Sequence, residues 1–331
     1  MEKPSCECLF EGERLKVLIS GTSGFIGSIL AARLSELDHE VYGLERYVTG
    51  RYCLGKHPAL KTLYADLNDH WAIQHLIQRL QPDIVVHLAS ISAVSYSYDH
   101  PLDVFQTNCE ATVNLAETCM RSDRNLKQFI MAGTSEMYGN QKQNPISESA
   151  RFYPNSPYSA SKASAVTYLR YMWDAYGFPV TIMVPFNTYG RHDNKHFIVE
   201  RCISQMLNQP KGTVTLGDPN PIRDLLYVDD HVQGYLSVFS QEMALGESFN
   251  LCTGVGINIQ ALTSKIASLT EFQGSILWNT IPDRPLDIQV LVGDNSKVKK
   301  MFGWSPKVSL DEGLRRTVDA LVPAMEMEIH L

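Results

Sequence analysis

Short apolar runs and amphipathic stretches alternate along the chain as far as Pro185. Leu15–Ser20 (LKVLIS) is an apolar run of strand length that stops at Gly21, and Ser28–Asp38 follows with Ile29, Leu30, Leu34 and Leu37 at helical spacing. The same reading predicts strands at Glu40–Leu44, Leu60–Ala65, Ile84–Leu88, Gln128–Ala132 and Val180–Val184. Helices are predicted at about His70–Leu80, Asp103–Arg121 and Tyr158–Tyr176. Strand–helix alternation of this kind predicts an α/β fold with a doubly wound parallel sheet.

Beyond Pro185 the text changes, because Gly, Pro and Asn punctuate shorter elements. The division expected is a tail over 1–14, a first domain over 15–186 and a smaller, discontinuous α/β domain over 187–331. A segment at about 222–245, containing the helical stretch Val228–Phe239 (VDDHVQGYLSVF), is expected to return to the first domain. At 331 residues the chain has the length of about two domains.

Composition narrows the chemistry. Lys and Arg total 29 against 36 Asp and Glu, a net charge of −7, and no basic run appears, so a nucleic-acid partner is not expected. Seven scattered cysteines without a CxxC pair fit a reducing, cytoplasmic setting; Cys6 and Cys8 form the one close pair, in the tail. No cationic segment precedes an apolar run at the N-terminus and no stretch reaches 18 apolar residues, so neither export nor membrane insertion is expected. The ten histidines show no metal-ligand spacing; His87 and His231 read as core or hinge residues, and no metal is expected.

Between the first strand and first helix lies Gly21-Thr22-Ser23-Gly24-Phe25-Ile26-Gly27. Glycines there let backbone approach a pyrophosphate, which the helix N-terminus attracts. The spacing is GxxGxxG, one residue removed from the GxGxxG dinucleotide fingerprint. Three glycines at a tight turn against a packed helix are the simpler alternative. Glu45 ends the second strand 24 residues after Gly21, near the offset of the acid that binds an adenosine ribose. A carboxylate there repels a 2′-phosphate and favours NAD over NADP, although Arg46 beside it is suited to such a phosphate. Asp66-Leu67 is expected beside the adenine and Leu88-Ala89-Ser90 beside the middle of the cofactor.

Tyr158 and Lys162 stand four residues apart, one turn on the same face of a helix. The ammonium favours phenolate, making Tyr158 usable as a general base near neutral pH. By chance alone, such a pair is often a surface pair.

Together these residues resemble the extended branch of the short-chain dehydrogenase/reductase superfamily, the nucleotide-sugar epimerases and dehydratases, over roughly residues 15–322. The resemblance also rests on His87-Leu-Ala-Ser, Thr134-Ser-Glu-Met-Tyr-Gly139, Pro185-Phe-Asn-Thr-Tyr-Gly190, Arg223-Asp-Leu-Leu-Tyr-Val and Arg284-Pro-Leu-Asp ahead of Gly303-Trp304. It implies a Rossmann-type sheet, bound NAD and a nucleotide-diphosphate sugar as substrate. It further implies that Thr134 holds the reacting sugar hydroxyl, Tyr158 takes its proton and Lys162 holds the nicotinamide ribose. Asn187, Arg223, Arg284 and Asn250 match substrate contacts, and Ser92 and Ser135 are expected to line the substrate. The helices Asp103–Arg121 and Tyr158–Tyr176 form the dimer contact in relatives, so a homodimer is implied.

Glu136 distinguishes among reactions. Simple 4-epimerases of this family usually carry a small or neutral residue there, whereas in 4,6-dehydratases a glutamate removes the C5 proton and water leaves from C6. Thr134-Ser135-Glu136 is similar to the Thr-Ser-Glu of GDP-mannose 4,6-dehydratases, so a 4,6-dehydratase giving a 4-keto-6-deoxy sugar is the expected activity. UDP-glucuronate decarboxylases share the tripeptide, and a 4-epimerase is the other alternative. The family's Gly-Pro-Arg after the Tyr189 position is replaced here by Gly190-Arg191-His192-Asp193-Asn194-Lys195-His196.

Overall fold

The computed structural model describes residues 13–47, 60–122, 126–190, 197–280 and 285–328. Six strands come first along the chain: β1 (Lys16–Ser20), β2 (Glu40–Glu45), β3 (Lys61–Tyr64), β4 (Ile84–His87), β5 (Gln128–Ala132) and β6 (Val180–Pro185). Seven more follow: β7 (Asn187–Tyr189), β8 (Thr213–Thr215), β9 (Ile222–Tyr227), β10 (Ser248–Leu251), β11 (Gly256–Asn258), β12 (Ser275–Leu277) and β13 (Val290–Leu291). The helices are α1 (Phe25–Glu36), α2 (His70–Leu80), α3 (Val94–Asp99), α4 (Pro101–Phe105), α5 (Ala111–Ser122), α6 (Pro157–Tyr176), α7 (Ile198–Asn208), α8 (Val228–Val238), α9 (Ile259–Leu269), α10 (Ser296–Phe302) and α11 (Leu310–Glu328).

The main sheet is parallel throughout, in the order β10-β6-β5-β4-β1-β2-β3, and is Rossmann-like. Its central strands are buried on both faces, which is why they read as continuous apolar runs. One face packs Leu18, Val85 and Phe129 against Ile73, Leu115 and Leu169 of α2, α5 and α6. The other packs Val17, Ile19 and Val86 against Leu30 and Leu34 of α1 and Val232 of α8. The order reverses between β4 and β2 on either side of β1, and ligands of such sheets bind beyond the strand carboxyl ends at that reversal.

A smaller sheet, with β9 between antiparallel β11 and parallel β13 and with β7 also on β9, packs through a third core of Ile203, Leu216, Leu262 and Leu314. The seventh strand of the main sheet, β10, enters after this lobe has begun, and its pairing register against β6 is Ser248 to Ile182. No helix among the described residues is long and apolar enough to cross a membrane.

Two predicted helices differ from those observed. The first begins at Phe25 rather than Ser28, because Gly24 is already its extended N-cap. The helix expected over Asp103–Arg121 is divided: Pro101 opens α4, and a widened π turn, Gln106–Glu110, precedes α5. That turn carries buried Asn108, whose amide clamps the Ile91 backbone, accepting its N–H at 2.8 Å and donating to its carbonyl at 3.0 Å. Widened turns of this kind recur at functional sites.

His87 ends β4 fully buried, with Nδ1 2.7 Å from Ser20 Oγ and Nε2 2.8 Å from Thr112 Oγ1. Burial pushes its pKa down to about 3, so the folded ring is neutral. The unfolded chain protonates near the ordinary value, and the folded state refuses that proton until about pH 3. His87 therefore removes stability as pH falls below about 6.5, by about 1.4 kcal/mol per pH unit. Denaturant titration at pH 7.5 and pH 5 should show wild type losing more stability than His87→Gln; equal losses would exclude this origin.

Candidate active site

The glycine turn is built by exclusion of side chains. Gly21 has φ +82°, and a Cβ on it would sit 2.9 Å from the Ala89 backbone nitrogen; a Cβ on Gly27 would overlap the Gly21 carbonyl oxygen. Glu45 holds this turn from the end of β2. Its buried carboxylate accepts from Thr22 Oγ1 and the Ser23 backbone N–H, each at 2.6 Å, and from Ser23 Oγ. The expected ribose carboxylate is thus committed to the turn. Gly21, Gly24, Phe25, Ile26 and Gly27 line a cleft of about 1060 Å³, while Glu45 and buried Thr22 stand behind them.

Leu88, Ser90 and Ser92 continue the wall of the cleft. Ala89 lies behind, its N–H on Ser20 Oγ at 3.2 Å. Asp66 accepts from the Asn68 N–H at 2.9 Å to close its own turn, and Leu67 is buried, with its carbonyl on Asn114. Arg46 lies over the Tyr47 ring at 4.8 Å, and Tyr47 rather than Arg46 reaches the cleft. Asp66, Leu67, Ala89 and Arg46 are not among the described residues that line the cleft.

Thr134, Ser135 and Glu136 emerge at the carboxyl end of β5, where Thr134 Oγ1 caps a single 3₁₀ turn by accepting the Glu136 N–H at 3.3 Å. Across from them, Ser156 and Ser159 form a reciprocal capping box with Pro157 in the first turn of α6. That start point puts Tyr158 in the first turn and Lys162 one turn later, and all five residues line the cleft. Lys162 is 1% exposed and donates from Nζ to the Ala132 carbonyl at 3.0 Å. Burial pushes its pKa down to about 8.

The smaller lobe supplies the remaining wall. Arg223 on β9 donates from Nη1 to the Ile288 carbonyl at 2.7 Å and pairs through Nη2 with Asp287 at 3.3 Å. Asn187 on β7 lines the cleft with its side-chain oxygen buried and unpartnered among the described residues. Asn250 does not line it. Its side chain is fully buried on β10, accepting from Tyr138 Oη at 2.8 Å and donating to the Ile146 carbonyl at 2.9 Å, because the sheet's edge strand needs those loops tied down. The expected substrate contact is structural. Arg284, the 191–196 run, Cys6 and Cys8 lie outside the described residues.

Sequence reasoning missed His231 and Tyr235 as cleft residues; both line it from α8. The signal was present as an i, i+4 pair on one helix face, the same spacing that marked Tyr158 and Lys162. Glu200, buried on the first turn of α7, also lines the cleft and accepts the Gly190 N–H at 3.0 Å. Among the described residues, no cluster of His, Cys, Asp and Glu is arranged to hold a metal.

A buried ammonium has a cost that can be measured. The folded pKa of Lys162 lies below its unfolded value, so the destabilisation is fully present below about pH 8 and disappears as pH rises towards 10.5. The gap corresponds to about 3 kcal/mol. Lys162→Met should raise the melting temperature at pH 7 and lose that advantage near pH 10. A variant less stable at both pH values would mean that the Ala132 hydrogen bond outweighs desolvation.

Residues 18–317 match the family model described as GDP-mannose 4,6 dehydratase. The UDP-glucose 4-epimerase of Mycolicibacterium smegmatis is 29% identical over 311 residues, covering 92% of this chain and 98% of that protein. The structure of UDP-glucose 4-epimerase from Thermotoga maritima with UDP-glucose superposes with TM-score 0.86 at 28% identity, covering 93% of this chain and 99% of that one. A dTDP-glucose 4,6-dehydratase from Streptomyces venezuelae with NAD bound gives TM-score 0.82 at 25% identity, covering 92% and 96%. With its parallel sheet, glycine turn and Tyr158–Lys162 pair, the chain belongs to the GDP-mannose 4,6-dehydratase family of nucleotide-sugar dehydratases and epimerases, and is an enzyme.

Proposed function

We propose that the chain is an NAD-dependent nucleotide-diphosphate-sugar 4,6-dehydratase. The observation that carries the reading is Glu136, a carboxylate on the cleft wall two residues after Thr134 and opposite Tyr158 and Lys162. The cradle fits a dinucleotide: side chains are excluded at Gly21 and Gly27, and the N-terminus of α1 opens onto the cleft. NAD bound there supplies a reversible hydride acceptor. Neighbouring structures with NAD bound support the same cofactor for this chain.

Thr134 holds the C4 hydroxyl of the sugar and Tyr158 takes its proton, with Lys162 favouring the phenolate. The resulting ketone acidifies the C5 proton, which Glu136 removes. Glu136 then returns that proton to the departing C6 hydroxyl; the hydride that left C4 for bound NAD returns at C6 while the proton held by Tyr158 returns to the sugar at C5, so the net change is loss of one water. Ser135 has no carboxyl group, which leaves both transfers to Glu136. Arg223 suits the diphosphate, for which a guanidinium fork is the natural partner.

A hydroxymethyl at C6 suits the hydroxyls of Ser90, Ser92 and Ser135 on the cleft wall. Similarity to UDP-glucose 4-epimerases supports 4-epimerisation as the second reading. The exposed Tyr171 and Tyr176 on α6, beside a shallow groove lined by Phe152 and Tyr168, support pairing of two copies.

Incubating the protein and NAD with UDP-, GDP-, CDP- and dTDP-hexoses and UDP-glucuronate, with mass analysis of products, tests the reaction and names the base. Loss of one water from a hexose nucleotide is expected. An isomer of unchanged mass would make the protein a 4-epimerase, and loss of carbon dioxide a decarboxylase. Glu136→Gln should lower dehydration by roughly 10²–10⁴-fold, the usual contribution of a positioned acid–base group. Undiminished turnover would remove Glu136 from the chemistry.

A further inference from the structure

Tyr235 is 1% exposed, lines the cleft from α8, and its hydroxyl has no hydrogen-bond partner among the described residues. A buried donor left unpaired costs free energy that a core phenylalanine would not. The ring is held by its surroundings. It stacks on His231 with centroids 5.3 Å apart and planes at 21°, and His231 Nδ1 is 2.7 Å from Thr188 Oγ1. The hydroxyl is thus presented by a stacked, hydrogen-bonded support at a place where the described residues offer it nothing to bind.

Its neighbours indicate what arrives there. Tyr235 belongs to the same core face as Phe25 and Ile26, the first residues of α1 beyond the glycine turn, and α8 packs on α1. It is also electrostatically coupled to Tyr158, and both burial and that neighbour push its pKa upward, so the hydroxyl stays protonated and acts as a donor. The charged part of a dinucleotide belongs to the glycine turn and helix N-terminus. Between Phe25, Ile26 and Tyr158 the remaining part is the phosphate-free nicotinamide end, and its hydrogen-bond acceptor is the carboxamide carbonyl.

We propose that Tyr235 is a cofactor-holding residue whose buried hydroxyl donates to the nicotinamide carboxamide and fixes the orientation of the ring beside Tyr158. The inference rests on the reading that the cleft takes NAD. It assigns to α8 a direct part in cofactor binding, with His231 and Thr188 as the residues that orient the donor.

Two ligands and one variant test it. Calorimetric titration of cofactor-free protein with NAD and with ADP-ribose, which lacks the nicotinamide ring, is compared for wild type and Tyr235→Phe. The variant should bind NAD roughly tenfold more weakly, the loss of about one hydrogen bond, and ADP-ribose unchanged. The cofactor-free variant should also melt at an equal or higher temperature than wild type, since the unpaired donor is gone. Equal weakening for both ligands would assign Tyr235 a structural role and overturn the proposal, as would unchanged NAD affinity. Wild type that binds neither ligand would overturn the cofactor reading itself, an outcome distinct from either.

Discussion

The close approach of backbone to backbone at the glycine turn governs the geometry of this protein. Gly21 and Gly27 leave no room for a side chain, and Glu45 draws Thr22 and Ser23 towards the end of β2. One carboxylate thereby joins β1, α1 and β2 at the carboxyl edge of the sheet. The N-terminus of α1, the floor of the cleft and the line along which β4 and β5 deliver their loops all follow from that junction.

The site is assembled at the expense of stability. Lys162 is an ammonium buried against one carbonyl, and Tyr235 presents a hydroxyl without a partner among the described residues. Asn187 likewise holds an unpaired acceptor in the cleft among the described residues. Each is unfavourable in the folded chain alone, and groups of this kind are commonly kept at functional sites at a cost in stability. Deep burial on both faces of the parallel sheet supplies the rigidity that tolerates these groups.

The contribution of the smaller lobe is positional. Strand β9 carries Arg223 into the cleft and passes directly into α8, which returns to the main sheet and packs on α1. Three cleft-lining residues, Arg223, His231 and Tyr235, therefore lie on one continuous segment.

The sequence by itself determined the alternation of strand and helix, the parallel sheet, the glycine turn and the placement of Tyr158 and Lys162 on one helix face. These are local properties: apolar periodicity, the absence of a Cβ and a four-residue spacing act over a few residues. Tertiary structure alone decided where long-range polar groups spend their hydrogen bonds. Glu45 and Asn250 occupy plausible ligand-binding positions in the chain, yet one clamps the turn and the other ties down an edge strand. Conversely, His231, which reads as a core or hinge residue, and Tyr235, which no motif singles out, reach the cleft, because α8 folds back on α1 after an excursion through the second lobe. Hydrogen-bond commitment depends on partners distant in sequence, such as Thr22 for Glu45 or Tyr138 for Asn250, and no local pattern encodes it.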